Sequence, residues 1–261
     1  MTNEEIVKKL SSSNNFSGHN FLDLKKDQIL NQNVSLLFFD LDEAVSFKSD
    51  DGTLHFYGKS KKAVAKLIDL RIQQRDFRED VSIFTQDCFE DLFLKKMNSY
   101  KKQFDFDYYR SSKLTKVSGT ALEDSLKFRF LTDQNQGDQD ILSKWYRDYN
   151  SEMKTSWKTP ILDESNREHY FCMMDRSSEQ LAFVNFNLES THRLWFGRFF
   201  IQPEYRGKSY GRAMIARMKQ MATLKKKDLA LLVHTDNLKA IKLYQTEDFI
   251  KQDRILVLSR V

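Results

Sequence analysis

Residues 194–212 read Leu-Trp-Phe-Gly-Arg-Phe-Phe-Ile-Gln-Pro-Glu-Tyr-Arg-Gly-Lys-Ser-Tyr-Gly-Arg. The apolar first half is typical of a β-strand. The residues that follow have the apolar spacing of an amphipathic helix: Met214, Ile215, Met218, Met221 and Ala222. Gly207 and Gly211, two of only eight glycines in the chain, mark the turn between strand and helix. The stretch therefore predicts a strand, a glycine turn and a helix N-terminus, in that order.

This turn predicts an anion-binding site. The first amide groups of a helix have no intrahelical acceptor, and the helix dipole makes that end positive. Arg206, Lys208 and Arg212 add three full positive charges around the turn. A phosphate or pyrophosphate group is therefore the expected ligand.

Two common nucleotide motifs do not fit these residues. Gly207-Lys208-Ser209 is similar to the end of a P-loop, but that motif needs a glycine where Gln202 stands. A G-x-G-x-x-G dinucleotide fingerprint is also absent. Taken alone, the turn is equally compatible with a surface loop that carries solvated arginines.

The next elements distinguish these interpretations. Residues 229–233 form an apolar run that predicts a strand buried on both faces. Asp236 and Asn237 then predict the N-cap of a helix, whose apolar or aromatic residues include Ala240, Ile241, Leu243 and Tyr244.

The order strand, V-x-P, R-x-x-G-x-G, helix, strand, N-x-x-A-x-x-L-Y-x-x-x-G-F resembles the GNAT superfamily of acetyl-CoA-dependent N-acetyltransferases. The matching residues are Ile201-Gln202-Pro203, Arg206 to Gly211, Asn237, Ala240, Leu243, Tyr244 and Phe249. Two residues depart from the pattern, because Ser209 and Asp248 stand where the family has glycine.

The resemblance implies direct transfer of an acetyl group from acetyl-CoA to a primary amine of a small molecule or peptide. It implies that the backbones of Phe199 and Ile201 hold the pantetheine arm, since Pro203 ends the pairing of their strand and two strands splay apart. Tyr244 matches the family's general acid; its alternative role is a core aromatic. The implied cofactor-binding residues are Phe199, Phe200, Ile201, Arg206, Gly207, Lys208, Ser209, Tyr210, Gly211, Arg212 and Asn237.

The general base that must deprotonate the amine is not identified by the sequence. The strand Leu194 to Ile201 offers no carboxylate. The candidates, which the sequence does not rank, are Glu189, His192, Asp163, Glu164 and His234.

The family domain is predicted to cover residues 125–261. Strands are predicted at 126–131, 170–174 and 181–188, and a helix at 138–150. Residues 151–167 lie where this family usually borders the acceptor site, so we interpret them as a lid. The expected fold class is α/β (α+β), with a mixed central sheet, a splayed parallel strand pair and flanking helices.

A second domain is predicted over residues 1–120, joined through a linker rich in Ser, Thr and Lys at 111–125. Strands are predicted at 34–39, 54–57 and 81–85, with a hairpin turn at 49–52. Helices are predicted at 61–74 and 89–101. This order mimics the GNAT second half without its phosphate signature, which favours a degenerate GNAT-like domain over an unrelated α/β domain.

Charge separates the two predicted domains. Residues 1–124 have 19 basic and 20 acidic side chains, a net charge of −1, and the remainder has 23 against 17, a net charge of +6. The positive half suits a polyanionic cofactor, although a nucleic-acid-associated acyltransferase could use the same field. A catalytically silent CoA-binding or regulatory protein is the other alternative.

Location and metal content are the remaining expectations. No apolar run approaches the roughly 20 residues of a membrane-spanning helix, so a cytoplasmic protein without a membrane partner is expected. Cys88 and Cys172 are isolated and have no histidine at metal-ligand spacing, so no metal site is expected.

Overall fold

The structure is a computed structural model that describes residues 35–39, 44–48, 53–74, 77, 82–97, 99–111, 125–189 and 193–260. The chain divides into two compact units. Among the described residues, the first unit contains those up to 109 together with 232–241 and 251–260, and the second contains Arg110–Leu231 and Lys242–Ile250.

The first unit has a mixed sheet built around a strand-helix-strand crossover. Its strand order is β1-β2-β3-β4-β11-β5, with β3 and β4 parallel and the pairs β1–β2, β2–β3 and β4–β11 antiparallel. The elements are β1 (Ser35–Phe39), β2 (Ala44–Lys48), β3 (Leu54–Gly58), α1 (Lys61–Gln73), β4 (Ile83–Gln86), α2 (Glu90–Lys96), β5 (Tyr100–Ser111) and most of β11 (Phe249–Arg260).

The core of the first unit lies between its helices and its sheet. Val64, Leu67 and Ile68 recur at helical spacing on α1 and are fully buried. They share one apolar cluster with Phe56 of β3 and Phe93 of α2, whose rings meet edge to face at 4.9 Å. Burial of such a stripe is the main source of helix stability in proteins.

The second unit repeats the crossover in a mostly antiparallel sheet. Its strand order is β10-β9-β8-β7-β6, and only β9 and β10 are parallel. The elements are β6 (Lys127–Phe130), α3 (Asp138–Met153), β7 (Tyr170–Met174), β8 (Gln180–Glu189), β9 (Arg193–Ile201), α4 (Tyr210–Leu224), the start of β10 (Asp228–His234) and the end of α5 (Leu238–Thr246).

Helix α3 packs on the sheet through its aromatic face. Trp145 stacks on Phe183 of β8 with ring centroids 4.3 Å apart, and Tyr149 meets Phe200 of β9 at 5.9 Å. At the start of α3, Arg129 donates two hydrogen bonds of 2.6 Å to the carboxylate of Asp138. Burial alone raises the pKa of Asp138, but these and other hydrogen bonds outweigh it and lower that pKa.

The predicted fold class is confirmed, since mixed sheets are flanked by helices. Strands β2 and β3 pair antiparallel as the hairpin requires, while its turn at 49–52 lies outside the described residues. The helix predicted to reach Lys101 is wrong at its end. Helix α2 stops at Lys96, and Tyr100, whose amide donates to Met97, begins β5.

The predicted linker falls almost wholly outside the described residues, because 112–124 are not among them. The interpretation of the first half as a degenerate GNAT-like domain stays a prediction. No helix in the described part of the chain is long and apolar enough to cross a membrane.

Candidate active site

The turn between β9 and α4 is built by two residues with left-handed backbones. A short 3-10 helix, Pro203–Tyr205, follows β9, and then Gly207 and Ser209 take φ values of +74° and +64°. The amide groups of residues 207–211 have no hydrogen-bond partner among the described residues. Five open amides at a helix N-terminus are donors suited to an anion.

Both departures from the family's glycine pattern occupy left-handed positions. Asp248 takes φ +59°, as Ser209 takes φ +64°. A Cβ atom makes this conformation unfavourable by about 1 kcal/mol, less for Asp than for most residues. The backbone therefore keeps the conformation that glycine favours, and the Ser209 and Asp248 side chains that stand in place of glycine carry a conformational cost.

Gly211 lies in a closely packed position. A Cβ at this position would lie 3.0 Å from Cδ1 of Ile201 and 3.1 Å from Cδ2 of Leu243. The glycine therefore allows α4 to approach the end of β9 and helix α5 closely. A side chain added here would enter the core, so a substitution at 211 tests packing before it tests phosphate binding.

The three cations of the turn differ in how they are held. Arg206 donates to the Ile201 carbonyl at 2.9 Å and pairs with Glu152 of α3 at 2.6 Å. Arg212 pairs with Glu247 at 3.4 Å. Lys208 is exposed and lies over the ring of Tyr205, with no ion pair to any described residue. Lys208 and the exposed Arg212 are thus available to an anion, whereas Arg206 braces the turn.

Strand β9 contains a bulge at Arg198, and this corrects the predicted role of Pro203. Asn185 of β8 pairs with Gly197, but Phe183 pairs with Phe200, so β9 has one extra residue in that interval. Arg198 takes φ +49° there. The parallel pairing of β9 with β10 ends at Phe196 and Leu231, well before Pro203. The bulge ends this pairing, because an extra residue bends a strand and breaks its ladder.

Beyond the bulge, one edge of β9 has amides that no ladder uses. The amide of Gln202 donates to the Leu181 carbonyl of β8 at 3.1 Å. Because successive amides of an extended chain point in opposite directions, those of Ile201 and Phe199 point away from β8. The register with β10 does not extend to either residue.

Tyr244 lies in an aromatic cluster of the second unit. Its ring centroid is 5.9 Å from that of Phe196 and 5.7 Å from that of Phe249, and the residue is 6% exposed. Burial raises the pKa of its hydroxyl, and the nearby Tyr149 raises it further. The hydroxyl is therefore protonated at neutral pH.

Other predicted site residues have local roles in the structure. Asn237, in the first unit, caps α5 by accepting a 3.2 Å hydrogen bond from the Ala240 amide. The ring of Tyr210 meets that of Tyr205 at 5.9 Å, and the ring of Phe199 meets that of Phe196 at 6.4 Å. Phe200 belongs to the core beneath α3.

Three of the five candidate bases contact other residues, and the side chains of the other two lie outside the described part of the chain. The Asp163 carboxylate accepts from the Ser165 amide at 2.8 Å in a capping box. Glu164 is exposed and 3.6 Å from Arg167. His234, in the first unit, packs on Phe106 with centroids 4.3 Å apart. His192 and the Glu189 side chain lie outside the described residues.

The structure adds a group of residues around the bulge that the sequence did not reveal. The Arg198 guanidinium lies 4.3 Å from the ring centroid of Trp157, and its Nη1 is 3.4 Å from Asn185 Oδ1 and 3.5 Å from the Tyr146 hydroxyl. The available signal was a lone charge in the otherwise apolar run 194–201. No set of three metal-ligating side chains converges within the described ranges.

Comparisons with known proteins show what part of the chain is similar to. Residues 139–249 match the acetyltransferase (GNAT) family model. A search of curated proteins finds no match. A Drosophila protein of known structure aligns over 100% of this chain and 97% of its own, at 11% identity and a TM-score of 0.69.

Two solved GCN5-related N-acetyltransferases are also similar. The one from Kribbella flavida covers 92% of this chain and 94% of its own, at 10% identity and a TM-score of 0.59. The one from Sphaerobacter thermophilus covers 94% and 90%, at 12% identity and a TM-score of 0.55. At these identities the likeness shows a shared fold alone.

Proposed function

We propose that the protein transfers an acetyl group from acetyl-CoA directly to a primary amine, and the match of residues 139–249 to the GNAT acetyltransferase family model supports this proposal. The observation that carries the proposal is the open turn at 207–211, whose five amides have no partner among the described residues. Acetyl-CoA supplies the activated thioester. Direct transfer requires amine and thioester to be bound together in a ternary complex.

The residues of the turn would hold the pyrophosphate of the cofactor. Open amides at the start of α4 would act with the helix dipole, and the exposed Lys208 and Arg212 would contribute positive charge. The unpaired edge of β9 supports a second contact, because the amides of Phe199 and Ile201 suit the carbonyl groups of pantetheine and the thioester. An amide directed at the thioester carbonyl would stabilise the negative charge that develops on that oxygen.

Tyr244 would protonate the departing thiolate. Its raised pKa keeps the proton in place across the working pH range. A raised pKa also makes the hydroxyl a weaker proton donor, so its contribution to the rate is expected at the low end of general acid catalysis.

Substitution of Tyr244 by Phe tests this role. The change removes the hydroxyl and leaves the ring between Phe196 and Phe249, so thermal stability and CoA affinity should be unchanged. General acid catalysis typically contributes about 10² to 10⁴ in rate, and a thiol leaves readily, so we expect a fall in kcat of about 100-fold. Wild-type kcat in the Tyr244→Phe enzyme would assign the residue to the core alone.

Amine deprotonation sets a further requirement. A lysine-like amine with a pKa of about 10.4 costs roughly 4.6 kcal/mol to deprotonate at pH 7. The carboxylate of Asp163, one candidate base, already accepts hydrogen bonds in a capping box. Because only the neutral amine reacts, we expect kcat/KM to rise with pH until the acceptor amine is neutral. Measurement of kcat/KM from pH 6 to pH 10 would record this rise.

A catalytically silent CoA-binding protein is the second candidate. The left-handed backbones of Ser209 and Asp248 favour it, since both positions carry a cost that glycine would avoid. Turnover separates the two candidates. Incubation with acetyl-CoA and panels of polyamines, amino acids, aminoglycosides and peptides, with free thiol as the readout, should give CoA release under the main proposal and none under the second.

Binding is tested independently of turnover. Acetyl-CoA should raise the melting temperature, and dephospho-CoA should raise it less. Calorimetry on the full chain should give one CoA per chain, because only the second unit has an R-x-x-G-x-G-like turn. Two equivalent sites would refute the assignment of a single cofactor turn.

A further inference from the structure

The guanidinium of Arg198 has no carboxylate within ion-pair distance in the described part of the chain. Its polar contacts are both long, at 3.4 Å to Asn185 and 3.5 Å to the Tyr146 hydroxyl. Several arginines of the same unit are paired, among them Arg129 with Asp138, Arg167 with Asp133 and Arg206 with Glu152. Three others make no ion pair with a described residue, but these are exposed, whereas Arg198 is partly buried.

The surroundings of Arg198 are neutral. Trp157 covers one face of the guanidinium at 4.3 Å, and Asn185 is buried beneath it. The nearby hydroxyls of Tyr149 and Tyr170 do not supply negative charge, because burial raises the pKa of both. No side chain that contacts Arg198 in the described part of the chain compensates this half-buried charge.

The backbone of Trp157, whose ring lies against Arg198, is held by hydrogen bonds to Asn150. Asn150 donates to the Trp157 carbonyl at 2.8 Å and accepts from the Trp157 amide at 3.2 Å. These contacts fix the backbone of Trp157 to the end of α3, so that its ring stays against Arg198. Stacking on a ring leaves the guanidinium edges open, and those edges carry the donors.

We propose that Arg198 binds the carboxylate of the acceptor, and that the acceptor is accordingly a free amino acid. The inference rests on the proposed function. A guanidinium fork complements a carboxylate by two parallel hydrogen bonds. Arg198 also directly precedes Phe199, whose amide is proposed to face the thioester, so a group held by Arg198 lies beside the reacting centre.

This position suits an acceptor whose amine is close to its carboxylate, as in an α-amino acid. In the reaction, the neutral amine forms a bond to the acetyl carbon and the carbon–sulfur bond breaks. The nitrogen loses one proton to a base or water, and the thiolate gains one. The products are an N-acetyl amino acid and CoA. Arg198 binds and orients the acceptor and forms no covalent bond.

The experiment compares acceptors that differ only in the carboxylate. Free amino acids, their amides and the corresponding decarboxylated amines are assayed with acetyl-CoA by CoA release. We expect the amino acids to exceed their amides in kcat/KM by about 30- to 100-fold, the typical strength of a charge-assisted pair. Equal rates for an amino acid and its amide would overturn the proposal.

Substitutions of Arg198 test whether this residue causes the preference for acceptors that carry a carboxylate. In Arg198→Leu, kcat/KM for the amino acid should fall to the wild-type value for its amide, while the amide rate is retained. Arg198→Lys keeps the charge without the fork, so it should recover part of the preference if the leucine variant does not fold. Arg147→Leu, an exposed arginine on α3, is the matched control and should keep the wild-type preference. Preference retained in both Arg198 variants would refute the assignment.

Two further outcomes are separable. Acetylation of amines without regard to a carboxylate refutes the carboxylate site and leaves the proposed function standing. No turnover of any amine, together with no binding of acetyl-CoA, refutes both. If Arg198→Leu instead alters discrimination between acetyl-CoA and succinyl-CoA, the carboxylate belongs to the acyl group, and the acceptor proposal is wrong.

Discussion

Helices α1 and α4 both follow a strand, and both have a serine at the N-cap, but their first turns differ. Ser60 is extended, with φ −135°, and its hydroxyl accepts a 3.2 Å hydrogen bond from the Ala63 amide. Ser209 is left-handed, with φ +64°, and makes no side-chain cap. The residue type is therefore compatible with either a capped or an open helix start, and the backbone conformation selects between them.

The difference follows from the residues on either side. Gly207 permits a second left-handed residue near Ser209, and the amides of this turn remain without a partner among the described residues. Gly58-Lys-Ser-Lys61 lacks that arrangement, and its helix begins with an ordinary cap. A cap satisfies one of the open donors that an anion would otherwise use. The first turn is thus suited to stability and the second to ligand binding.

The start of α3 differs from both, because an acidic side chain of the protein itself lies in the first turn of this helix. Asp138 is 1% exposed and held by Arg129. Asp138→Asn keeps the shape and removes the charge, leaving the guanidinium without its partner. We expect a loss of about 3 kcal/mol in the free energy of unfolding at pH 7, less than for a fully buried pair because Arg129 is partly exposed.

The pH dependence of this loss has a definite sign. The pKa of Asp138 is lowered from 3.8 in the folded state, so the carboxylate stabilises the protein above that value and ceases to do so as pH falls through the folded pKa. Urea unfolding should therefore separate wild type from Asp138→Asn at pH 7 and bring them together in acid. Equal stability at pH 7 would contradict the assigned role of the pair.

The comparison of the two serines is tested most directly by adding a carboxylate to each. Ser209→Asp places a negative charge among the open amides of α4, and we expect CoA affinity to fall about 100-fold, or about 2.7 kcal/mol. Ser209→Asn has nearly the same shape without the charge and should lose much less. Ser60→Asp should leave CoA affinity, measured by calorimetry, unchanged.

If Ser60→Asp weakens CoA binding as much as Ser209→Asp does, the distinction between the two helix starts is wrong. If Ser209→Asp and Ser209→Asn have the same effect, the loss comes from shape, and the anion site must be relocated.

Removal of each hydroxyl tests the caps themselves. Ser60→Ala should destabilise the protein by about 1 kcal/mol, because the Ala63 amide loses its acceptor. Ser209→Ala should change stability by less than about 0.5 kcal/mol, since no cap is lost. Chemical denaturation of the two variants side by side would show this asymmetry, and a larger loss for Ser209→Ala would reverse the comparison.

The smallest expected effect is a gain. Ser209→Gly removes a Cβ from a left-handed residue and should stabilise the protein by about 0.5 kcal/mol, after allowance for the greater entropy of glycine in the unfolded chain. CoA affinity should be retained or improved, as the family pattern has glycine at this position. A loss of stability would mean that the Ser209 side chain has a contact of its own.

Much of the fold was predictable because its signals are local. The apolar alternation of β9, the periodicity of α4 and the residues that cap α5 act within one or two turns of chain, and the corresponding elements were located closely. The end of α2 was misplaced because Phe93, Met97 and Tyr100 have helical spacing. In the structure Tyr100 instead begins β5, so strand pairing overrides the local pattern.

Residue patterns alone specified the strand–turn–helix order, the position of the glycine turn and the resemblance to an acetyltransferase family. The assembled fold alone specified the bulge at Arg198, the close approach at Gly211 and the meeting of Arg198 with Asn185, Tyr146 and Trp157. Those partners lie far from Arg198 in sequence, and such contacts depend on strand register and side-chain packing, which local propensity does not encode.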